Sequence, residues 1–143
     1  MRVLCLDVGE KRVGVAVSDP MGSIAFGLET VPRKDNYAEF EKIKKFVVDK
    51  QVQRIVIGLP FDKKARQTKQ TDAIKEYAGR LEAYCAPTNP VAIEFFDERF
   101  STQCAHRVLD DADMRSIKRK EIIDTMSAQI ILQDYLDAGK TKE

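Results

Sequence analysis

The sequence predicts an α/β fold, a mixed five-stranded sheet in which an antiparallel meander is extended by parallel strands and flanked by helices. Two observations predict it. Apolar runs separated by short turns occupy the first part of the chain, and further short apolar runs then alternate with segments whose apolar residues recur at helical spacing. Strands joined by tight turns pair antiparallel, whereas strands separated by helices pair in parallel through right-handed crossovers.

In chain order, residues 2–8, 11–19 and 24–31 form the meander, with turns at Gly9-Glu10 and from Asp19 to Ser23. In the second strand Val13, Val15 and Val17 share one face, while Gly14, Ala16 and Ser18 line the other and leave room for a bulky neighbour. From Asn36 to Lys50 the spacing of Phe40, Ile43, Phe46 and Val47 predicts a helix capped by Asp35 or Asn36. A short buried strand, 54–58, precedes a helix over 71–84 that turns Ile74, Tyr77, Ala78 and Leu81 inward, and Ala86 to Pro90 breaks that helix. A strand over 91–97 follows. Next come a helix opened by Ser101 or Thr102, a loop running from acidic to basic residues, and a last helix over 121–138 ended by Gly139. The expected organisation is one domain over 1–139 and a polar tail at 140–143, with no repeat, linker or low-complexity segment.

Composition bounds the function. A chain of 143 residues, 43% hydrophobic and 33% charged, is long enough for one domain with a real core and suggests neither disorder nor membrane insertion. Its apolar runs fall short of the ~18 residues that span a bilayer, and the first residues lack a secretory signal, so the expected compartment is the cytoplasm. The 3 cysteines, Cys5, Cys85 and Cys104, have no paired spacing and read as reduced thiols. The single histidine, His106, lies two positions from Cys104 on a predicted helix, where the side chains diverge, so it reads as a surface residue.

The informative feature is a carboxylate out of place. Asp7 ends the apolar run Val3-Leu4-Cys5-Leu6, and an isolated ionised carboxylate there must be paired, metal-bound or open to a cleft. Asp97-Glu98 closes the later run from Val91 to Phe96, and Asp124 interrupts the apolar stretch Ile122 to Met126. Side chains alternate along a strand, so only one of Asp97 and Glu98 shares a face with Asp7. Net charge is +1, but the bases are clustered. Lys63, Lys64, Arg66 and Lys69 follow Gly58-Leu59-Pro60, and Arg115, Lys118, Arg119 and Lys120 precede Asp124, so both clusters flank the carboxylates. Positive loops around a negative metal site suit a phosphate-backbone substrate. Lys11 and Arg12 are either turn charges or phosphate contacts, and Arg99 is either paired along its strand or a substrate contact.

The motifs Asp7 to Asp19, Gly58-Leu59-Pro60, Asp97 to Thr102, and Asp124 with Ile131 to Leu136 together resemble the YqgF/RuvX family, described as pre-16S rRNA nucleases and Holliday-junction resolvases. The resemblance spans almost the whole chain. It implies an RNase H-like fold with sheet order 3-2-1-4-5, and Asp7, Glu98 and Asp124 as the catalytic, metal-binding carboxylates. It also implies a nucleic-acid partner, either precursor rRNA in ribosomal particles or branched DNA, and a monomer or homodimer. One departure is that the loop Phe61 to Arg66 has no glycine where family members commonly carry one.

The implied chemistry is consistent with the residue types. Phosphodiester hydrolysis needs an activated water and a stabilised leaving oxygen, and two divalent ions about 3.5–4 Å apart supply both. Hard Mg²⁺ or Mn²⁺ takes oxygen ligands, hence aspartate and glutamate in place of histidine and cysteine. Asp7 would bridge the ions, with Lys11, Arg12, Lys63, Lys64, Arg66, Arg99, Lys118, Arg119 and Lys120 contacting substrate. Two other readings compete with the nuclease. An ATPase or phosphotransferase of the sugar-kinase and actin type also opens on an acid-glycine turn but needs a second domain, and a weakly catalytic nucleic-acid-binding module would keep the fold alone.

Overall fold

The computed structural model describes residues 1–33, 36–59, 69–97 and 116–141, with side chains described for these except at 36–37, 116–124 and 140–141. The described strands are β1 (Arg2–Val8), β2 (Arg12–Ser18), β3 (Ala25–Pro32), β4 (Val52–Leu59) and β5 (Ala92–Asp97). Three described helices accompany them: α1 (Asn36–Asp49), α2 (Lys69–Cys85) and α3 (Ser116–Thr141). The sheet has the order β3-β2-β1-β4-β5. β1, β2 and β3 pair antiparallel, and β4 and β5 add in parallel to β1. The helix expected to open at Ser101 or Thr102 lies outside the described residues.

Strand alternation sorts the core into two layers. Leu4, Leu6, Val13, Val15, Val17, Ile55 and Ile57 turn to one face and bury against Phe40, Ile43 and Val47 of α1 and Ile74, Tyr77, Ala78 and Leu81 of α2. Val3, Cys5, Ala16, Ala25 and Val56 turn to the other, where Ala128, Ile131, Leu132 and Leu136 of α3 cover them. The neighbour for which Gly14, Ala16 and Ser18 leave room is therefore α3. Close approach is visible at Gly27, where a Cβ would stand 2.6 Å from Thr125 Cγ2. Gln129 Nε2 donates to the Ala25 carbonyl at 3.2 Å, and Gln133 Oε1 accepts from the Ala25 N–H at 2.9 Å, so α3 also serves the backbone of the β3 edge strand.

The last helix is longer than the expected 121–138 at both ends. It begins at Ser116, which takes Ile117, Lys118, Arg119 and Lys120 out of a loop and into its first turns. Lys and Arg are good helix formers, and nothing in the run interrupts them. At the other end the helix passes Gly139 and reaches Thr141. Gly139 keeps ordinary helical backbone, with no positive φ, so the left-handed conformation that makes a glycine terminate a helix is absent there. None of the described helices is long and apolar enough to cross a membrane.

Candidate nuclease site

Asp7 is the next-to-last residue of β1, and by alternation it shares the α3 face with Val3 and Cys5. It is half-buried. Its cross-strand partner is Gly14, and Gly14 in turn stands opposite Thr30 on β3. Thr30 Oγ1 lies 2.9 Å from Thr125 Oγ1 of α3. The row Asp7–Gly14–Thr30 therefore ends under Thr125, two strand spacings of roughly 4.8 Å each from Asp7. Asp124, adjacent to Thr125, is one helical turn before the buried Ser127 and Ala128, so its backbone lies at the Asp7 end of the sheet.

The turn after Asp7 is built tightly. The Gly9 N–H donates to the Arg12 carbonyl at 2.8 Å, and a Cβ on Gly9 would meet that same oxygen at 2.9 Å, so any larger residue must open the turn. Lys11 is exposed at its tip. Arg12 is half-buried and has the parity of Gly14 and Ala16, which places it on the Asp7 face. Behind the turn, Arg33 Nη1 donates to the Gly9 carbonyl at 2.7 Å and the Arg33 N–H donates to the Lys11 carbonyl at 2.9 Å. Arg33 in turn faces Glu39 of α1, whose Oε2 lies 3.8 Å from Nε and accepts the Tyr77 hydroxyl at 2.6 Å. Burial, then the Glu39 carboxylate, push the Tyr77 phenol far above its ordinary range.

Asp97 pairs in register with Leu59 and has the parity of Ile93, on the α1 and α2 face and away from Asp7. Glu98, Arg99, Lys63, Lys64 and Arg66 lie outside the described residues, and so do the side chains of Lys118, Arg119, Lys120 and Asp124. Among the described residues no group of at least 3 His, Cys, Asp or Glu side chains converges to hold a metal. Asp7 itself suits one, being a hard oxygen donor at the carboxyl ends of the parallel strands, where open α/β sheets bind their ligands. A cavity of about 700 Å³ opens elsewhere, at the amino ends of β4 and β5, and Asp7 does not line it. There Arg54 Nη1 donates to the Tyr135 hydroxyl at 2.8 Å, and that hydroxyl donates to Glu94 at 2.6 Å.

The sequence singles out Asp7 and turns Tyr77 inward but does not show what stands behind the turn. Glu39 offered a signal, since it sits four residues before Ile43 on the apolar stripe of its helix, where an acid must have partners. Arg33 offered none, because a base at the end of a strand is ordinary in sequence. The pairing of Thr30 with Thr125 depends on a helix docking that no local pattern announces.

A sheet in the order β3-β2-β1-β4-β5, an acid next to the end of its central strand and a long last helix laid over that acid's face make an RNase H-like fold. In fold it is similar to T. thermophilus RuvC in complex with Holliday junction substrate, with a TM-score of 0.58 at 12% identity over 98% of this chain and 96% of that one. A second Thermus thermophilus RuvC structure gives 0.53 at 13% identity over 99% and 97%. The family model described as "RuvX: Holliday junction resolvase" matches residues 1–138, and the chain belongs to that family. A Thermoanaerobacter pseudethanolicus relative is 42% identical over 144 residues, covering 99% of this chain and 100% of the relative. One from Listeria monocytogenes is 40% identical over 139 residues, covering 96% and 98%. Both carry the name "Putative pre-16S rRNA nuclease". Membership makes this chain a nuclease, a hydrolase acting on nucleic-acid phosphodiester bonds.

Proposed function

We propose that the chain is a divalent-metal-dependent nuclease that processes the 5′ end of pre-16S rRNA during ribosome biogenesis in the cytoplasm, with Asp7, Glu98 and Asp124 as its metal-binding carboxylates. The observation that carries this reading is Asp7, half-buried at the carboxyl end of β1, in a register row that ends beneath Thr125, next to Asp124. The names of the relatives support the RNA substrate. Strand parity supports Glu98 over Asp97, because Asp97 turns to the face away from Asp7.

Bound at this site, two Mg²⁺ or Mn²⁺ ions would lower the pKa of an attacking water and offset charge on the leaving oxygen. The chain's own groups hold and orient. Asp7 offers two carboxylate oxygens at the sheet end, and Arg12 on the same face, with Lys11 at the turn tip, meets the phosphates on either side of the scissile bond. The same reading assigns Lys118, Arg119 and Lys120, in the first turns of α3, to phosphate contacts. Lys63, Lys64, Arg66 and Arg99 follow β4 and β5 in sequence, and the same reading assigns them to phosphate contacts.

A second reading, resolution of Holliday junctions in DNA, is favoured by the description of the family and by the junction bound to the structural neighbour. One assay tests both. Precursor 16S rRNA and a four-way DNA junction are offered separately with Mn²⁺ to wild type and to Asp7→Asn, an isosteric change that removes the charge. Wild type is expected to cleave the precursor, and Asp7→Asn to bind it with cleavage reduced by at least about 10²-fold. Wild-type cleavage of the junction alone would replace the RNA reading with the DNA one, and full cleavage by a folded Asp7→Asn protein would reject the metal site.

A further inference from the structure

Arg33 does more than neutralise a buried acid. Glu39 is 3% exposed and Tyr77 is 1% exposed, so the Glu39 carboxylate needs partners, and the Tyr77 hydroxyl at 2.6 Å with the Arg33 Nε at 3.8 Å supplies them. A counter-ion need reach no further. Arg33 instead extends past Glu39 so that Nη1 meets the Gly9 carbonyl at 2.7 Å, while its own N–H holds the Lys11 carbonyl at 2.9 Å. The guanidinium is kept from swinging away by the Tyr77 ring, whose centroid lies 4.9 Å from its central carbon. Only a planar, permanently charged fork of donors serves Glu39, the Tyr77 face and a backbone carbonyl at once. Two of the carbonyls in the turn that begins two residues after Asp7 are thus fixed by one residue, which is itself fixed from the α1 and α2 layer.

From this geometry we infer that Arg33, braced by Glu39 and Tyr77, is a positioning residue of the nuclease site. It sets the backbone of the Gly9–Arg12 turn, and through it the direction of the Asp7 carboxylate. It touches neither metal nor substrate. The inference rests on the reading of Asp7 as a metal ligand. Groups that orient a ligand from behind typically govern about 10- to 100-fold in metal affinity or activity.

The test measures cleavage against Mn²⁺ concentration, together with nucleic-acid affinity, for wild type, Arg33→Ala, Arg33→Lys, Asp7→Asn and Ile43→Val. Ile43 is fully buried in the same helical layer, so its truncation lowers stability without reaching the turn. Arg33→Ala is expected to raise the half-saturating Mn²⁺ concentration about tenfold or more while nucleic-acid affinity changes by no more than about threefold. Arg33→Lys, which keeps a donor but loses the fork, is expected to give a smaller shift of the same sign, and Ile43→Val none. A wild-type Mn²⁺ requirement in Arg33→Ala, or an equal shift in Ile43→Val, overturns the positioning role. If Arg33→Ala does not fold, an unshifted Arg33→Lys overturns it. Cleavage retained by Asp7→Asn rejects the underlying metal site, whereas loss in Asp7→Asn beside an unmoved Arg33→Ala rejects the positioning role alone.

Discussion

Glu39 and Tyr77 form a single acid–phenol pair inside the α1 and α2 layer, and the fold raises the pKa of the phenol. Tyr77→Phe keeps the ring that packs edge-on against Phe40 at 5.1 Å and removes only the hydroxyl that Glu39 accepts. A buried carboxylate left short of a donor costs roughly 1–3 kcal/mol, so urea unfolding at pH 7 is expected to show a loss of that size. The pH dependence follows from the direction of the Tyr77 shift. Burial and the neighbouring carboxylate raise the phenol's pKa in the folded state, whereas in the unfolded chain it titrates near its ordinary value of about 10. Above that pH the unfolded chain releases this proton and the folded chain keeps it. Tyr77 therefore contributes its full stability below about pH 10, and that contribution falls by up to about 1.4 kcal/mol per pH unit above it. Tyr77→Phe lacks this titration, so the gap between the two proteins is expected to narrow between pH 9 and pH 11. A gap that stays constant would show that the hydroxyl is not held protonated by the fold.

The contact between α3 and the meander involves small residues, and Gly27 is a tight point in it. Adding a Cβ there brings it to 2.6 Å from Thr125 Cγ2, a distance that forces the helix or the strand to move. Gly27→Ala is expected to cost about 1–3 kcal/mol, and Thr125→Ser, which deletes the obstructing methyl but keeps the hydroxyl facing Thr30, is expected to recover much of it in the double variant. Thermal unfolding of the four proteins in the cycle measures the coupling, and additive losses would place the cost of the alanine elsewhere. The strands and the inward faces of α1 and α2 were legible in the sequence because periods of two and 3.6 are local signals. Phe40, Ile43, Ile74 and Leu81 all bury as their spacing requires. The ends of α3 were not legible, since a base-rich first turn reads as a loop and Gly139 reads as a stop, although its backbone stays helical. The docking height of α3 on Gly27 and Thr30 is a tertiary outcome with no sequence period behind it.

At the scale of the molecule, the sheet and α3 bring Asp7, Thr30 and Thr125, which are far apart in the chain, to one end. Asp7 stands out in the sequence because a carboxylate near the end of an apolar strand contradicts its surroundings, and the parity of β5 turns Asp97 to the α1 and α2 face. A test of the proposed metal site that needs no substrate follows from linkage. Carboxylates held close enough to share cations repel one another without them, so a divalent ion that binds only the native state relieves repulsion and stabilises the fold. At a concentration a hundred times its Kd such an ion contributes about 2.7 kcal/mol, which raises the Tm of a chain of this size by several degrees. Asp7→Asn removes a repelling charge and a ligand together. It is expected to be at least as stable as wild type without metal and to respond far less to Mn²⁺, and Asp124→Asn is expected to behave in the same way. Asp97→Asn is expected to keep the full metal response, because its side chain stands on the opposite face of the sheet from Asp7. The measurement is a thermal-unfolding titration with Mn²⁺ on all four proteins. Equal metal-induced shifts in wild type, Asp7→Asn and Asp124→Asn would remove both carboxylates from the metal site, and a response lost only in Asp97→Asn would move the site to the face covered by α1 and α2.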